Sequence, residues 1–482
     1  MIYALTRGSL ESKIISTTLQ LTSFAVALGI VIRPGVAAFK IVWVLLIFLS
    51  PILGGAMFLF FNYQPFPKAW KERIKKANKK GCEALLSLPD SYDKARAEVP
   101  DRIRGIRYLK ECGKFPVYSG TEALYLPLGE NKWEALLPEL QGAKKYIFIE
   151  YFIIQEGVFW DSILEILKKK AAEGVLVRVL YDDIGCFLRL PKDYSEKLRE
   201  YGIECAVFNR FVPFITTMQN NRDHRKILSI DGRVCFTGGI NLADEYVNKK
   251  ALFGHWKDSA VMLRGDAAWS MTVFFLKMWE TTTGKDENYL DFLPGRQSSK
   301  VPGFVQPYSD SPLDDEPVSA QLYLQLINEA KDYLYISTPY LIIDDSFISA
   351  LSLAAKSGVD VRIVTPGVAD KLLVHLTTRS YYHELISSGV KIYEYSKGFI
   401  HAKSFVSDDK VATVGTANLD YRSLYLNFEC GALMVNTPGI IDMRVDFLEM
   451  LNECHEVTKS EAKSKPATRI LQNLLRIIAP LM

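Results

Sequence analysis

Hydrophobic and polar positions divide the chain into an apolar start, a short basic stretch and a long α/β body. No charged residue occurs from Ile14 to Ile32, nor from Ile41 to Phe61. At about 1.5 Å of rise per residue, the first run as a helix spans roughly 28 Å, close to the hydrocarbon thickness of a bilayer. Arg33-Pro34-Gly35 breaks the pattern between the runs, and Pro51 falls inside the second. Residues 1–62 are therefore expected to form two transmembrane helices joined by a tight turn. A cleaved signal peptide followed by one anchor would look similar, but the first run is long for that and lacks an A-x-A-like site. A buried core hairpin rarely stays uncharged for so long.

Pro67 to Lys80 carries seven bases and one acid. Beside a membrane this marks the cytoplasmic side, which puts both termini and the body inside. Such a stretch either holds anionic lipid, at roughly 1 kcal/mol per base near the surface, or is a solvated helix that only sets topology. Residues 63–117 read as a basic, then polar, helical region.

From Tyr118 strand and helix periods alternate. Ala143–Ile154 reads as a buried strand, Asp161–Ala172 as a helix and Gly174–Asp183 as a strand, which makes a β-α-β unit. Ala330–Tyr340, Ser346–Lys356 and Gly358–Val364 repeat it. The offset between copies drifts from 187 to 184 to 177 residues, as loop insertions within an internal duplication produce. Residues 294–317, rich in Pro, Ser and Asp, read as the linker between halves at 118–293 and 318–482. Two such α/β halves commonly pack about a pseudo-twofold axis, with equivalent positions facing each other.

The duplication carries chemistry. His224, Lys226 and Asp231 form H-x-K-x4-D, and His401, Lys403 and Asp408 form it again. Gly238 and Asn241 follow the first histidine by 14 and 17 residues, and Gly415 and Asn418 follow the second by the same offsets. Each motif runs into a hairpin turn, so histidine and lysine, two apart on the preceding strand, share a face. The aspartates fall at the turns, where Asp commonly bonds local backbone. An imidazole, an ammonium and an amide suit a phosphodiester. Lysine and asparagine hold its oxygens, while histidine attacks phosphorus or protonates a leaving oxygen. Two-step displacement needs two histidines, and duplication supplies the second.

Net charge is +3, nearly balanced, which argues against a nucleic-acid partner. The seven cysteines are odd in number and form no C-x-x-C pair, which speaks against a disulfide framework or a zinc site and fits a reducing compartment. Acidic residues show no two-metal cluster, and the two ammonium groups already supply positive charge, so neither metal nor cofactor is expected.

The double H-x-K-x4-D with G-G-x-N and G-T-x-N resembles the phospholipase D superfamily. The apolar start, the basic stretch and Gly415–Glu429 resemble its bacterial cardiolipin synthases. The superfamily resemblance covers roughly residues 115–482, and the apolar start and basic stretch before it also suit the synthase subgroup. It implies a fold of two duplicated phospholipase D-like halves and a ping-pong reaction through a phosphohistidine. By this precedent His224 is the nucleophile and His401 the general acid, then base, although symmetry allows the reverse. Lys226, Lys403, Asn241 and Asn418 would hold the phosphate, and Asp231 and Asp408 complete the catalytic motifs. Asp258 matches the family's histidine-orienting carboxylate for the first half and Glu429 that for the second; Asp258 could equally be a surface acid. Arg422 and Ser423 would line the pocket. Arg210, Asn221 and Arg222 could touch a headgroup or brace a loop. His255, His375, His383 and His455 read as surface or packing residues.

The resemblance further implies an enzyme of the bacterial inner membrane that condenses two phosphatidylglycerol molecules into cardiolipin and glycerol. A lipid hydrolase, or a transferase with another alcohol such as serine, would use the same chemistry. A nucleic-acid phosphodiesterase is opposed by the charge and the apolar start, and a non-catalytic lipid scaffold by the completeness of both motifs. The tail Ile470–Ile478 is apolar enough to rest on a bilayer or to dock on the body.

Overall fold

Short apolar and aromatic runs bounded by turns build two sheets with one strand order. The computed structural model describes residues 10–33, 35–61, 68–210, 220–295, 299–314 and 316–481. The first sheet runs Glu122–Leu126, Ala260–Arg264, Val234–Gly238, Lys226–Ile230, Tyr146–Tyr151, Leu176–Asp182, Glu204–Phe208. The second repeats that order with Phe304–Asp310, Glu429–Val435, Val411–Gly415, Ser404–Ser407, Tyr333–Ser337, Asp360–Pro366 and Lys391–Tyr395. Tyr118–Ser119 and Cys454–Glu456 add one strand at each of its edges. In both sheets the last three shared strands are parallel and the rest antiparallel.

Side-chain alternation decides what covers each face. Along Tyr146–Tyr151, Ile147 and Ile149 join the core under the helix Val158–Ala172. Phe148 points the other way and stacks on Phe275, centroids 4.6 Å apart, in the helix Ala267–Thr283. That helix is buried along nearly its whole length, because the basic helix Lys68–Leu85 packs over it. The inner face of the basic helix is Ala77, Gly81, Ala84 and Leu85, and the Trp269 indole donates to Ala84 O at 2.8 Å. Lys76 and Lys80 pair with Asp286, and Lys80 with Glu280. The basic stretch is thus a bracket on the body, with its remaining bases exposed.

Two boundaries differ from the sequence expectation. The stretch 294–317 contains the strand Phe304–Asp310, paired along its length with Glu429–Val435. Tyr118–Ser119 joins the second sheet through that strand and not the first.

The apolar start also differs. Among the described residues no helix is long and apolar enough to cross a membrane. Leu10–Ile32 is a 23-residue helix, but Thr17, Thr18, Gln20, Thr22 and Ser23 dilute its apolar surface. The second run breaks at Ser50-Pro51 into helices of 13 and 11 residues, Ala37–Leu49 and Pro51–Phe61, since proline has no N–H to continue the ladder. The two expected spans are therefore not supported among the described residues. Residues 1–9, Pro34 and 62–67, which the expected anchor and the basic stretch included, lie outside the described residues.

The motif aspartates are not in the site. Asp231 and Asp408 sit at the hairpin turns with φ of +53° and +55°, a left-handed geometry that Asp tolerates. The Asp231 carboxylate accepts the N–H groups of Lys144, Lys145 and Tyr146. That of Asp408 accepts those of Lys331, Asp332 and Tyr333. Each ties a hairpin to the start of the central strand. Asp408 also pairs with the buried Arg102 guanidinium at 2.5 Å. Its carboxyl is held below the usual range: burial pushes it up, but these donors outweigh burial. Asp408→Ala would leave the buried Arg102 with only the Asp101 carboxylate, at 3.9 Å, as counter-charge, a cost of up to about 3–5 kcal/mol. It should lower the melting temperature clearly more than Asp231→Ala does, and equal shifts would discount the Arg102 pair.

Candidate active site

Each catalytic-motif histidine is placed by the opposite half. His224 precedes the strand Lys226–Ile230, and its N–H donates to Phe428 O at 3.0 Å while Phe428 N–H donates to Arg222 O at 2.9 Å. His401 follows the strand Gly398–Ile400, which pairs in parallel with His255–Lys257. Its N–H donates to Lys257 O at 2.7 Å. Next in the chain after those two acceptors come Glu429 and Asp258.

The carboxylates are consequently crossed. His224 Nδ1 lies 2.9 and 3.0 Å from the Glu429 oxygens, and His401 Nδ1 lies 2.7 Å from Asp258 Oδ2. The sequence assigned each acid to its own half. The structure exchanges them, because the segment that bridges to each histidine comes from the other sheet. Nδ1–H donates in both pairs, which leaves Nε2 of each ring for the cavity. Glu429 also accepts from Thr416 Oγ1 and Asn427 Nδ2, and Asp258 from Ser259 N–H.

One cavity of about 380 Å3 is lined by both histidines, Asn241 and Asn418. Asn241 Oδ1 accepts Ile153 N–H, and Asn418 Nδ2 donates to Asp420. The Asn418 Oδ1 is buried without a hydrogen-bond partner among the described residues. Lys226 and Lys403 are almost fully buried, and each Nζ donates to the carbonyl of the histidine two residues before it. Phe152 packs edge-on against His224 at 5.0 Å, and Tyr246 and Trp256 flank His401, each at 5.5 Å. Arg222, Arg422 and Ser423 line the cavity. Arg222 is held by Asp182, Nη2 to Oδ1 at 2.7 Å. Asn221 braces Leu426 O at 2.8 Å, and Arg210 is exposed outside the lining. The other histidines lie elsewhere: His255 is bonded to the Tyr395 hydroxyl, His455 to Glu461, His375 is half-buried and His383 exposed.

Burial sets the electrostatics. It pushes the Lys226 ammonium down to about 8, against the pull of Glu429 and Asp258. It pushes Lys403 down to about 7, with Lys226 adding repulsion while Asp258 opposes. Both imidazoles fall below their ordinary value, chiefly by burial. His401 falls furthest, because Lys403, Lys226 and His224 repel its charge. The carboxyls diverge. Burial lifts Asp258 to about 6, whereas the His224 and Lys226 charges and the hydrogen-bond donors hold Glu429 low in spite of burial.

The halves also differ beneath the site. Lys132 Nζ, fully buried, donates to Ile240 O and the Tyr151 hydroxyl, both at 2.9 Å. The carbonyl at the matching place in the second half, Ala417 O, accepts the Tyr323 hydroxyl at 3.4 Å. Lys132 was missed in the sequence, although its spacing with Leu136 and Leu140 put it on the inner face of its helix. Asn427 and Asp420 were missed as lining residues, although both stand in the stretch that carried the resemblance.

Two imidazoles backed by carboxylates, two ammonium groups and two amides around one cavity can transfer a phosphoryl group. The family model described as "Cardiolipin synthase, PLD-like domain" matches residues 136–258 and 323–451, one copy per half. A protein of Streptococcus mutans is 44% identical over 92% of this chain and 96% of its own length. A cardiolipin synthase of Geobacillus kaustophilus is 34% identical over 100% of this chain and 97% of its own length. The crystal structure of phosphatidylserine synthase from Haemophilus influenzae superposes with a TM-score of 0.59 at 15% identity, covering 78% of this chain and 97% of that one, a likeness of fold. With the same domain matched in both halves and a full-length relative of that kind, the chain belongs to the cardiolipin synthase family of phospholipase D-like enzymes.

Proposed function

We propose that the chain is a phosphatidyltransferase that joins two phosphatidylglycerol molecules into cardiolipin and releases glycerol. The observation that carries this is the pair of reciprocally held imidazoles on one cavity, in a chain that has cardiolipin synthases among its full-length relatives. His224 Nε2 attacks phosphorus, the bond from phosphorus to the glycerol headgroup breaks, and His401 gives its proton to the departing oxygen. A hydroxyl of the second phosphatidylglycerol then passes its proton to His401 and displaces Nε2. Lys226, Lys403, Asn241 and Asn418 hold the oxygens as charge develops.

The assignment of nucleophile to His224 is supported by its carboxylate. A phosphohistidine that keeps Nδ1–H is cationic, and Glu429, held ionised by its donors, is the better counter-ion. Lipid as substrate is supported by the helices Ala37–Leu49 and Pro51–Phe61, which leave Ile41, Phe48, Leu49, Ile52 and Leu53 more than half exposed. These helices meet the membrane.

Vesicles carrying headgroup-labelled phosphatidylglycerol should yield free glycerol and cardiolipin in equal amounts. Phosphatidic acid as the main product would make the enzyme a hydrolase instead. His401→Ala should slow turnover about 10²–10⁴-fold and let an acid-labile phosphatidyl adduct accumulate on His224; an adduct on His401 in His224→Ala would reverse the roles. The pH profile of kcat/KM should be a narrow bell. Its acid limb lies below the usual histidine value of about 6.5, since burial lowers His224 and only the neutral ring attacks. Its alkaline limb begins as His401, the acid, loses its proton below that same value, because burial and the Lys403, Lys226 and His224 charges disfavour its charged ring, and it steepens as Lys403 and Lys226 lose theirs near about 7 and about 8. A flat profile up to pH 10 would discount the lysines.

A further inference from the structure

The tail helix Pro466–Ile478 wears its apolar stripe on the outside. Gln472 and Leu475 face inward, where the Gln472 amide donates to Leu376 O and Arg476 pairs with Glu384. Ile470, Leu471, Leu474, Ile477 and Ile478 are 63%, 42%, 57%, 46% and 39% exposed. At 100° per residue these five fall within one arc of about 120°, so the helix docks by its less apolar side. Such a stripe in water loses roughly 25 cal/mol for each Å2 of apolar surface left uncovered.

The structure indicates what covers it. The helix runs into Ala479, which lines the catalytic cavity, and Leu481, which packs against the N-terminal cluster of Ile30, Trp43, Ile47 and Phe58. On the cavity's rim Lys371 is followed by Leu372 and Leu373, 67% and 53% exposed. Before the helix Lys459, Lys463 and Lys465 are exposed, as is Arg469 in its first turn, with Glu461 the one acid among them. An apolar stripe flanked by bases, continuous with the mouth of a cavity, matches an anionic lipid surface.

We propose that this tail helix lies in the headgroup plane of an anionic bilayer and seats the cavity mouth on it, so that substrate enters from the membrane. This rests on the lipid-transferase function above. The test uses the full-length enzyme with Leu474 replaced by photoreactive benzoylphenylalanine, on vesicles of phosphatidylglycerol and phosphatidylethanolamine. Adducts to lipid are expected. Adducts between two copies of the chain, or no adduct at all, would overturn the proposal. In parallel, the variant carrying Ile470→Ser, Leu474→Ser and Ile477→Ser should lose tenfold or more of its turnover on those vesicles. On monomeric dihexanoyl phosphatidylglycerol it should stay within twofold of the parent. An equal loss on both substrates would make the stripe structural. Failure of the parent to convert the short-chain lipid would count against the transferase function, a separate result.

Discussion

Everything in the site depends on a hydrogen bond that each half lends to the other. A buried imidazole that must gain and lose a proton needs a fixed tautomer and a nearby counter-charge, and a carboxylate on Nδ1 supplies both. Glu429 and Asp258 do this across the junction of the halves. Their reach is set by backbone. The Phe428–His224 and Lys257–His401 bonds bring each acid's strand alongside the opposite histidine. The sheets, the hairpin turns and the long buried helix serve to hold those two bridges in register.

The site is not as symmetric as its motifs. Glu429 collects the His224 ring, Thr416 and Asn427, whereas Asp258 collects the His401 ring and one backbone N–H. Below the first half sits the Lys132 ammonium, and at the equivalent carbonyl of the second sits the Tyr323 hydroxyl. A duplicated scaffold thus carries two differently tuned imidazoles, which two unlike steps at one phosphorus require. The shared architecture fixes where the groups stand, and unmatched buried neighbours fix how readily each takes a proton.

Much of this was legible in the chain. The motif pairs, the asparagines and the β-α-β repeat follow from spacing, because strand period and turn chemistry are local. The crossed acids were not legible, since which half's carboxylate reaches a ring depends on how the sheets meet. Asp231 and Asp408 were misplaced by motif membership: their position at hairpin turns already pointed to backbone bonding, and that is what they do. Hydropathy alone overreached at the apolar start, where Ser50-Pro51 ends a helix that composition would have continued. The strand Phe304–Asp310 was hidden in a proline-rich stretch because its pairing partner lies more than a hundred residues away.

The exchange of acids between halves bears on how such a chain could arise. A protomer holding one imidazole and one carboxylate would own neither a complete proton relay nor both sides of the phosphorus. It could work only as a twin, two copies lending acids to each other. Fusing the copies replaces a bimolecular encounter with a tether and so raises the effective concentration of the partner. Once joined, each copy is free to vary without forfeiting its mate, and the Lys132 and Tyr323 positions are where these two have parted.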